Sequence, residues 1–445
     1  MAAAPILAAH PAIVSRRSSS LRSYSTCRTD LKGYMKFSRE TCVALDLADP
    51  MAAFRTRFTL PADTLYLDGN SLGAMPANVP QRVMQAMAQE WAQGLIRSWN
   101  DAGWYPAPLR IGAKIAKLIG ADADEVAVAD STSVNLFKVL VAACRMQQGK
   151  RGVILAERGN FPTDVYIASS AAEMTGRELR SVEPDEVLAA LDDTVAVVSL
   201  THVNYKTGQR YDMRAVTERA HAVGALVVWD LAHSAGAMPL GLNTCEVDFA
   251  VGCGYKYLNG GPGAPSFVFV ARRHLPQVQQ PLTGWLGHAE PFAFTHEFMP
   301  HAGIERMLAG TPPMLAMIAL EAALEAFDGV DMQVLRDKSV ALGNLFIDLF
   351  DQELAGMGCV LRSPRNADER GSQVSLGHAE GYAIMQALIA RNIIGDFRAP
   401  DILRFGFTPL YLRYIDVWDT IAALKDIIAS RAWDTPEFKA KKSVT

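Results

Sequence analysis

The sequence lacks the features that mark several common classes of protein. Its 445 residues contain no CxxC pair, and net charge is −4 with no long basic run, which disfavours a nucleic-acid partner. No uncharged apolar run approaches the ~20 residues that span a bilayer, so we expect no membrane partner. The cysteines are scattered, at Cys27, Cys42, Cys144, Cys245, Cys253 and Cys359. This pattern argues against a disulfide framework or a zinc site and is typical of reduced thiols in a cytosol-like compartment.

Motifs of several other enzyme classes are also absent. The segment GGPGAP (260–265) is not followed by GK[ST], so it is not a Walker A loop. No GxGxxG opens a helix after an early strand, which weakens a nicotinamide-dinucleotide interpretation. The sequence contains no HExxH, which disfavours a zinc protease. We therefore expect no bound metal.

The first 29 residues differ in composition from the rest of the chain. They contain Arg16, Arg17, Arg22 and Arg28, many Ser and Ala, and no Asp or Glu. Two interpretations stay open: an organellar transit peptide, or a disordered extension that a start at Met35 would remove. We predict that residues 1–36 lie outside the fold and that the protein is cytoplasmic, with organellar import as the second possibility.

Helical and strand patterns alternate from about residue 107 onward. Amphipathic helices are predicted at 109–121, 134–146, 186–193 and 214–224, and Val-rich strands at 125–130, 152–157, 195–202, 225–230, 247–253 and 266–272. Near-continuous apolar strands between helices predict an α/β fold with a mostly parallel central sheet flanked by helices.

The pattern changes after about residue 310 to longer helices and a mixed tail, which predicts a second, smaller α+β domain. We expect a large domain over 101–310 and a small C-terminal domain over 311–445. Residues 37–100 form an N-terminal segment that contributes to the small domain.

Polar side chains and one aromatic ring follow the predicted strands at their carboxyl ends, the edge at which open parallel sheets bind ligands. In chain order they are Thr132, Ser133, Phe161, Asp164, Thr201, Asp230, His233 and Lys256. A lysine can condense with an aldehyde, and an aspartate can keep a pyridine nitrogen protonated. Hydroxyl and N–H groups at a helix N-terminus suit a phosphate, and an aromatic ring can lie against a flat cofactor. Together these groups describe a site for pyridoxal 5′-phosphate (PLP).

Each of these residues also has a simpler interpretation. Lys256 alone, among glycines, is typical of a solvated loop. Asp230 and the STS segment (131–133) resemble ordinary helix caps, and His233 alone resembles a packed histidine. The combination favours a site, because every group falls at the same edge of the same predicted sheet.

Seven segments, met in order, resemble signatures of the kynureninases, a family within the class V aminotransferase group of fold-type I PLP enzymes. They are YLDGNSLGAMP (66–76), LIRSWN (95–100), RGNFPTD (158–164), THVNYKTG (201–208), GCGYKYLNGGPG (252–263), GWLGH (284–288) and LRFGFTPLY (403–411). The resemblance runs from about residue 37 to the C-terminus. It implies a fold-type I architecture with PLP as the cofactor.

The resemblance also implies a reaction and a set of roles. Kynureninases use water to cleave the Cβ–Cγ bond of L-kynurenine, or of its 3-hydroxy form, giving anthranilate and L-alanine from kynurenine itself. The implied catalytic residues are Lys256, Tyr255 and Asp230. The implied cofactor-binding residues are Thr132, Ser133, Phe161, Asp164, Thr201, Asp230, His233, Tyr255, Lys256, Trp285 and Thr311. The implied substrate-binding residues are Ser71, Trp99, Gly310 and Arg404. A homodimer and a place in tryptophan degradation through the kynurenine pathway, linked to NAD biosynthesis, follow from the same resemblance.

Two rival functions stay open at this point. One is another class V PLP enzyme, such as a cysteine desulfurase or an aminotransferase. Desulfurases usually place histidines where this chain has Tyr255 and Phe161. The other rival is a binding protein without activity on the same scaffold. Within the family, Trp99, Gly310 and Thr311 resemble bacterial kynureninases, which favour the unhydroxylated substrate.

Overall fold

The computed structural model describes residues 37–147, 149 and 151–442. The predicted extension over residues 1–36 lies outside the described residues. The α-helices are α1 (Arg39–Leu47), α2 (Val79–Gln85), α3 (Ser98–Asp101), α4 (Ala107–Ile119), α5 (Thr132–Met146), α6 (Pro162–Thr175), α7 (Val187–Ala190), α8 (Met213–Ala222), α9 (Met314–Leu324), α10 (Met332–Glu353), α11 (Gly381–Ile389), α12 (Tyr414–Ser430) and α13 (Pro436–Lys439). The strands are β1 (Leu65–Tyr66), β2 (Val126–Val128), β3 (Val153–Glu157), β4 (Glu178–Val182), β5 (Val195–Thr201), β6 (Leu226–Asp230), β7 (Phe249–Cys253), β8 (Ser266–Val270), β9 (Val360–Leu361), β10 (Gln373–Gly377), β11 (Ile393–Ile394), β12 (Asp396–Arg398) and β13 (Ile402–Gly406). Within this part of the chain, no helix is both long and apolar enough to cross a membrane.

The central sheet has seven strands in the order β2-β8-β7-β6-β5-β3-β4. Strands β4, β3, β5, β6 and β7 run parallel, and β8 is antiparallel to both of its neighbours. Successive side chains enter two separate cores: Ile154 and Val228 pack with α5 and α6, whereas Leu155 and Trp229 pack with α4 and α8. Apolar side chains on both faces explain the near-continuous Val-rich runs. The predicted mostly parallel sheet flanked by helices is confirmed.

A second sheet, of four antiparallel strands in the order β12-β13-β10-β9, lies in the C-terminal part of the chain. The N-terminal segment packs against this part. Strand β1 pairs in parallel with β11, and the Asp46 carboxylate accepts hydrogen bonds from the backbone N–H groups of Tyr414 and Ile415 at the start of α12. A carboxylate at a helix N-terminus compensates unpaired N–H groups and the positive end of the dipole. The domain boundaries at residues 101 and 311 stay predictions.

The structure differs from the sequence-based predictions at two places. The helix expected at 186–193 is shorter, because α7 ends at Ala190 and Leu191 is extended. The Asp192 carboxylate accepts a hydrogen bond from the Thr194 backbone N–H at 2.9 Å, which favours a turn over another helical residue. Strand β4 was not predicted at all. Its sequence, ELRSV, is polar because it forms an edge of the sheet, where no residue is fully buried.

At the edge opposite the predicted site, Asp248 joins several elements by its buried carboxylate. It accepts hydrogen bonds from the Val227 backbone at 2.8 Å and from Arg273 at 2.7 Å. The Nε2 atoms of His221 and His274 lie 2.8 and 2.7 Å from its oxygens. Burial alone would raise the pKa of Asp248, but the two histidines hold it well below its usual range, and Asp248 in turn raises the pKa of His221.

We expect Asp248→Asn to lower the free energy of unfolding by about 3 kcal/mol, since it removes the buried charge that accepts hydrogen bonds from Val227 and Arg273 and contacts both histidines. The lowered carboxyl pKa contributes stability above about pH 4, and the raised His221 pKa contributes below about pH 6.5. The loss should therefore be largest between these values, as measured by urea unfolding at pH 4 to 8. Asp419→Asn, which breaks the exposed pair with Arg39, is the control and should change little. Equal effects of the two substitutions would contradict this assignment.

Candidate active site

A cleft of about 510 Å³ opens at the carboxyl edge of the central sheet. Its lining residues are Thr132, Ser133, Phe161, Thr163, Asp164, Thr201, Tyr205, Asp230, Ala232, His233, Tyr255 and Lys256. The structure thus brings together nine of the eleven residues predicted to bind the cofactor. They meet here because Thr201 and Asp230 end the neighbouring strands β5 and β6 and pair in register, while Lys256 follows the end of β7.

The GNSLG segment (69–73) and His233 both contact the turn that carries Lys256. The backbone N–H of Gly73 donates to the Tyr255 carbonyl at 2.8 Å, so the turn packs against the GNSLG segment. A Cβ atom at position 73 would collide with the Lys256 carbonyl oxygen and the Asn259 side chain, which explains the glycine. The Lys256 amine lies 3.0 Å from His233 Nε2. A rigid backbone therefore directs the single amine of the cleft toward a buried imidazole.

His233 is buried, and its Nε2 also lies 3.1 Å from the Asn70 carbonyl. Burial, followed by the positive charges of Lys256 and Arg404, lowers the pKa of His233 well below its usual value. The imidazole is therefore neutral at physiological pH. A neutral ring beside Lys256 adds no charge to the cleft and can hydrogen-bond the amine in place.

Two carboxylates, Asp164 and Asp230, are buried side by side in the cleft. Burial raises the pKa of both, and repulsion by Asp230 raises that of Asp164 further, whereas the positive charge of Lys256 acts to lower that of Asp230. The positive charge of Lys256 therefore favours the ionised form of Asp230, beside an Asp164 whose ionised form is less favoured. The Ala232 backbone N–H donates to Asp230 at 2.7 Å, and the Thr201 hydroxyl lies 2.9 Å from an Asp164 oxygen.

Sequence reasoning missed Asn160 and Tyr205, although both lie within quoted segments. The Asn160 amide oxygen accepts hydrogen bonds from the Thr201 hydroxyl at 2.6 Å and from the Phe161 backbone N–H at 2.7 Å, so it fixes the loop that carries Phe161. The Tyr205 ring stands edge-on to Phe161, at 5.2 Å between centroids and 88° between planes. No local pattern distinguishes these two positions, because their contacts form only in the folded protein.

Thr132 and Ser133 lie in the first turn of α5. The Ser131 side chain caps this helix by accepting from the Val134 backbone N–H. First-turn N–H groups have no acceptor within a helix, and the helix dipole adds positive potential there. Backbone N–H groups and two hydroxyls at the cleft mouth suit a phosphate dianion.

The residues of the cleft fit PLP. A lysine amine can bond to the aldehyde, Asp230 supplies a negative charge for a pyridinium nitrogen, and the first turn of α5 suits the phosphate. The Phe161 side chain is 42% exposed at the cleft, which leaves a ring face open for a flat heterocycle.

Six predicted site residues do not line this cleft: Ser71, Arg404 and the four described next. Trp99 packs edge-on against Trp104 at 6.0 Å, and Trp285, 39% exposed, packs against Phe292 at 5.7 Å. Gly310 and Thr311 line a separate pocket near the end of β2. The structure therefore does not place these four residues in the lining of the cleft that contains Lys256.

Ser71 and Arg404 lie together in a buried ionic cluster beside Tyr205. The Arg404 guanidinium donates to the Tyr205 carbonyl at 2.6 Å, to Ser71 Oγ at 3.1 Å and to Asp396. Asp396 was not predicted. It is the cross-strand partner of Arg404 in the pairing of β12 with β13, a register that sequence alone does not fix.

The fold and the cleft together define a PLP-dependent enzyme of fold type I. Two solved structures share this fold. A cysteine desulfurase from Thermococcus onnurineus NA1 has a TM-score of 0.73 and 18% identity, covering 85% of this chain and 98% of its own. A C-DES variant with glycine covalently linked to its PLP cofactor has a TM-score of 0.71 and 17% identity, covering 84% and 99%.

Sequence comparison gives a narrower assignment. Residues 335–424 match the model of the kynureninase C-terminal domain. Kynureninases from Burkholderia mallei (strain SAVP1) and Pseudomonas fluorescens are 51% and 49% identical over 414 residues, covering 92% of this chain and 100% of each relative. The chain belongs to the kynureninase family.

Asp68, in the cluster with Arg404, supports a prediction about pH. Its Oδ1 is buried without a hydrogen-bond partner among residues 37–147, 149 and 151–442. Burial, followed by the charge of Asp396, raises the pKa of Asp68 to about 7. A raised carboxyl pKa means that the folded state binds the proton more tightly, so this group lowers stability as pH rises from about 4 to 7.

We therefore expect Asp68→Asn to be more stable than the wild type at pH 8, on the order of 2 kcal/mol, and to differ little at pH 4. Urea unfolding at both pH values measures the difference. Asp63→Asn, an exposed aspartate in the same segment, is the control and should show no such pH dependence. A gain that is equal at both pH values would contradict the raised pKa.

Proposed function

We propose that this chain uses PLP and water to cleave the Cβ–Cγ bond of L-kynurenine, releasing anthranilate and L-alanine. The observation that carries the proposal is the placement of Lys256, Asp230 and the first turn of α5 around one cleft, in a chain about half identical to kynureninases. 3-Hydroxykynurenine is a second candidate substrate. The proposed context is cytoplasmic tryptophan degradation through the kynurenine pathway, which also feeds NAD biosynthesis.

The cleft residues would hold the cofactor at four points. Lys256 would bond to the aldehyde, Asp230 would pair with the ring nitrogen, and Phe161 would lie against the ring. Thr132 and Ser133 would bind the phosphate. When bound, PLP supplies a positively charged ring that withdraws electron density from the α-carbon of an attached amino acid.

Side chains of the protein would then carry out the proton transfers. Lys256 would remove the proton from the substrate α-carbon, and its contact with the neutral His233 at 3.0 Å supports a fixed position for this base. Tyr255 would donate a proton at Cβ. Burial, followed by the nearby Cys253 and Asp230, raises the pKa of Tyr255, so the phenol keeps its proton until it is needed. A base and an acid that are adjacent in sequence would thus serve neighbouring carbons.

The substrate itself would be oriented by Arg404, whose guanidinium binds the α-carboxylate. Planar guanidinium groups recognise carboxylates by paired hydrogen bonds, which a lysine does not provide. Ser71, Trp99 and Gly310 would line the remainder of the substrate pocket. Thr163, which also lines the cleft, was not predicted.

Another class V reaction is less well supported. A cysteine desulfurase needs a reactive thiolate, but burial raises the pKa of Cys359 to about 11. A thiol with such a pKa is protonated at neutral pH and is a poor nucleophile. Cys253 is buried at the end of β7, and burial raises its pKa as well. Neither thiol has the properties of a persulfide carrier.

We expect the purified holoenzyme to release fluorescent anthranilate from L-kynurenine, and Lys256→Ala to lose at least about 1000-fold in kcat. Borohydride reduction followed by mass spectrometry should detect PLP attached to the wild type and none attached to the variant. Lys425→Ala, which removes an exposed lysine of α12, is the control and should behave as the wild type. Release of L-alanine from L-cysteine, with its sulfur transferred as a persulfide, and no anthranilate from kynurenine, would refute the proposal.

We further propose that the protein is a homodimer and that Trp99, Trp285, Gly310 and Thr311 complete the cleft of the partner subunit. Their separation from Lys256 within one chain supports this arrangement. Exposed apolar side chains in the same regions support a subunit contact. They are Met84, Met87, Trp91, Leu95, Ile96, Phe292, Phe294, Phe298 and Met299.

Mixing two inactive variants tests this arrangement. Lys256→Ala lacks the amine, and Trp285→Ala lacks the aromatic ring, so each variant alone should be severely impaired. If Trp285 serves the partner, a mixed dimer has one intact cleft, and random exchange should restore about a quarter of wild-type activity. No recovery, although light scattering shows exchanged dimers, would mean that Trp285 acts in its own subunit.

A further inference from the structure

The guanidinium of Arg404 is almost fully engaged within the chain. Its Nε donates to Asp396 Oδ1 at 2.6 Å, and its Nη2 donates to Asp396 Oδ2 and to Ser71 Oγ. Its Nη1 donates to the Tyr205 carbonyl at 2.6 Å. A guanidinium has five N–H groups, so four of them already have an acceptor. This limits how a substrate carboxylate can approach Arg404.

Asp396 occupies one whole edge of the guanidinium, the one formed by Nε and Nη2. A paired contact to a second carboxylate can therefore form only at the other edge, between Nη1 and Nη2. The Tyr205 carbonyl accepts one of the two N–H groups of Nη1 and leaves the other to spare, and the group on Nη2 is the neutral hydroxyl of Ser71, at 3.1 Å. A charged carboxylate forms stronger hydrogen bonds than a hydroxyl and can displace it.

Asp396 is itself held in place. It lies directly across from Arg404 in the antiparallel pairing of β12 with β13, and Arg398, two residues along β12, points to the same face. Arg398 Nη2 contacts Asp396 Oδ2 at 2.7 Å, and the Ser71 hydroxyl donates to the same oxygen at 2.7 Å. Asp396 is 2% exposed. Two strands thus fix both partners before any substrate arrives.

The charges in this cluster also bear on how Arg404 can bind a carboxylate. Burial acts to raise the pKa of Asp396, but the hydrogen bond from Arg404 and the charges of Arg404 and Arg398 lower it overall. Asp396 is therefore ionised, and its single charge is opposed by two guanidinium groups. Asp68 is the second carboxyl group of the cluster, so the excess positive charge is available to a substrate carboxylate while Asp68 holds its proton.

We propose that Asp396 is a positioning residue for substrate binding: it holds the Nε–Nη2 edge of Arg404 so that the Nη1–Nη2 edge receives the α-carboxylate, which displaces the Ser71 hydroxyl. This inference rests on the proposed function, because it takes an α-amino acid as the ligand. The structure also suggests the opposite role, in which Asp396 is an internal competitor that must leave before substrate binds. The two roles predict opposite effects of one substitution.

The test is Asp396→Asn in the PLP-loaded dimer. Asparagine has the same shape but loses the charge and places an N–H group against a donor. If Asp396 positions Arg404, KM for L-kynurenine should rise about tenfold or more, with a smaller fall in kcat. Asp401→Asn, which breaks the ion pair with Arg362 beside β13, is the matched control and should leave KM unchanged. A lower KM in Asp396→Asn would show that Asp396 competes with the substrate carboxylate for Arg404. Either this result or an unchanged KM would overturn the proposal.

A double-mutant cycle separates positioning from general loss of structure. In an Arg404→Gln background, Asp396→Asn should raise KM by no more than about twofold, since the group that it positions is absent. Full additivity of the two substitutions would overturn the proposal. If Asp396→Asn fails to fold, as judged by urea unfolding, Asp396→Glu carries the test. This variant keeps the charge but moves it by one methylene group, and we expect KM to rise by about threefold; an unchanged KM would overturn the proposal.

Calorimetric titration of each variant with L-alanine provides a readout that does not depend on kynurenine cleavage. Weaker alanine binding in Asp396→Asn than in Asp401→Asn is expected, and equal binding would overturn the positioning role. If the wild type binds L-alanine but releases no anthranilate, the proposed reaction fails while the role of Asp396 stands.

Discussion

The burial of Asp164 and Asp230 beside Lys256 is the electrostatic constraint on which the site depends. A buried carboxylate is costly unless it is paired or hydrogen-bonded, and two adjacent carboxylates repel each other. The structure offsets this cost with a Thr201 hydroxyl, a backbone N–H and the positive charge of the Lys256 amine. The floor of the cleft therefore carries two carboxyl groups whose ionised forms favour a positively charged ligand. A cationic aromatic ring is the kind of ligand that such a floor stabilises.

Much of this site could be predicted from the sequence because it lies at strand ends. The carboxyl ends of parallel strands share one edge of a sheet, so the positions of Asp230, Thr201 and Lys256 follow once the strands are recognised. The same reasoning gives the mostly parallel sheet, since Val-rich runs between amphipathic helices indicate strands buried on both faces. Hydrophobic periodicity is a local property of the sequence, and the strand ends and the mostly parallel sheet follow mainly from it.

The remaining features depend on contacts between distant parts of the chain. Strand β4 is polar because it forms an edge, and α7 ends early because Asp192 caps a turn. Asp396 faces Arg404 only through the register of β12 with β13, and the GNSLG segment reaches the cleft only because β1 pairs with β11. The spacing of residues in the sequence does not predict these contacts.

The GNSLG segment connects the two halves of the site. The backbone N–H of Gly73 binds the Tyr255 carbonyl, and the Asn70 carbonyl contacts His233, so one end of the segment supports the lysine turn. Ser71, between them, contacts Arg404 and Asp396. Movement of the Ser71 hydroxyl when a carboxylate binds would therefore act on the same short backbone that fixes Lys256 and His233. The cluster of Arg404 and the turn that carries Lys256 are thus connected through the backbone of residues 70–73.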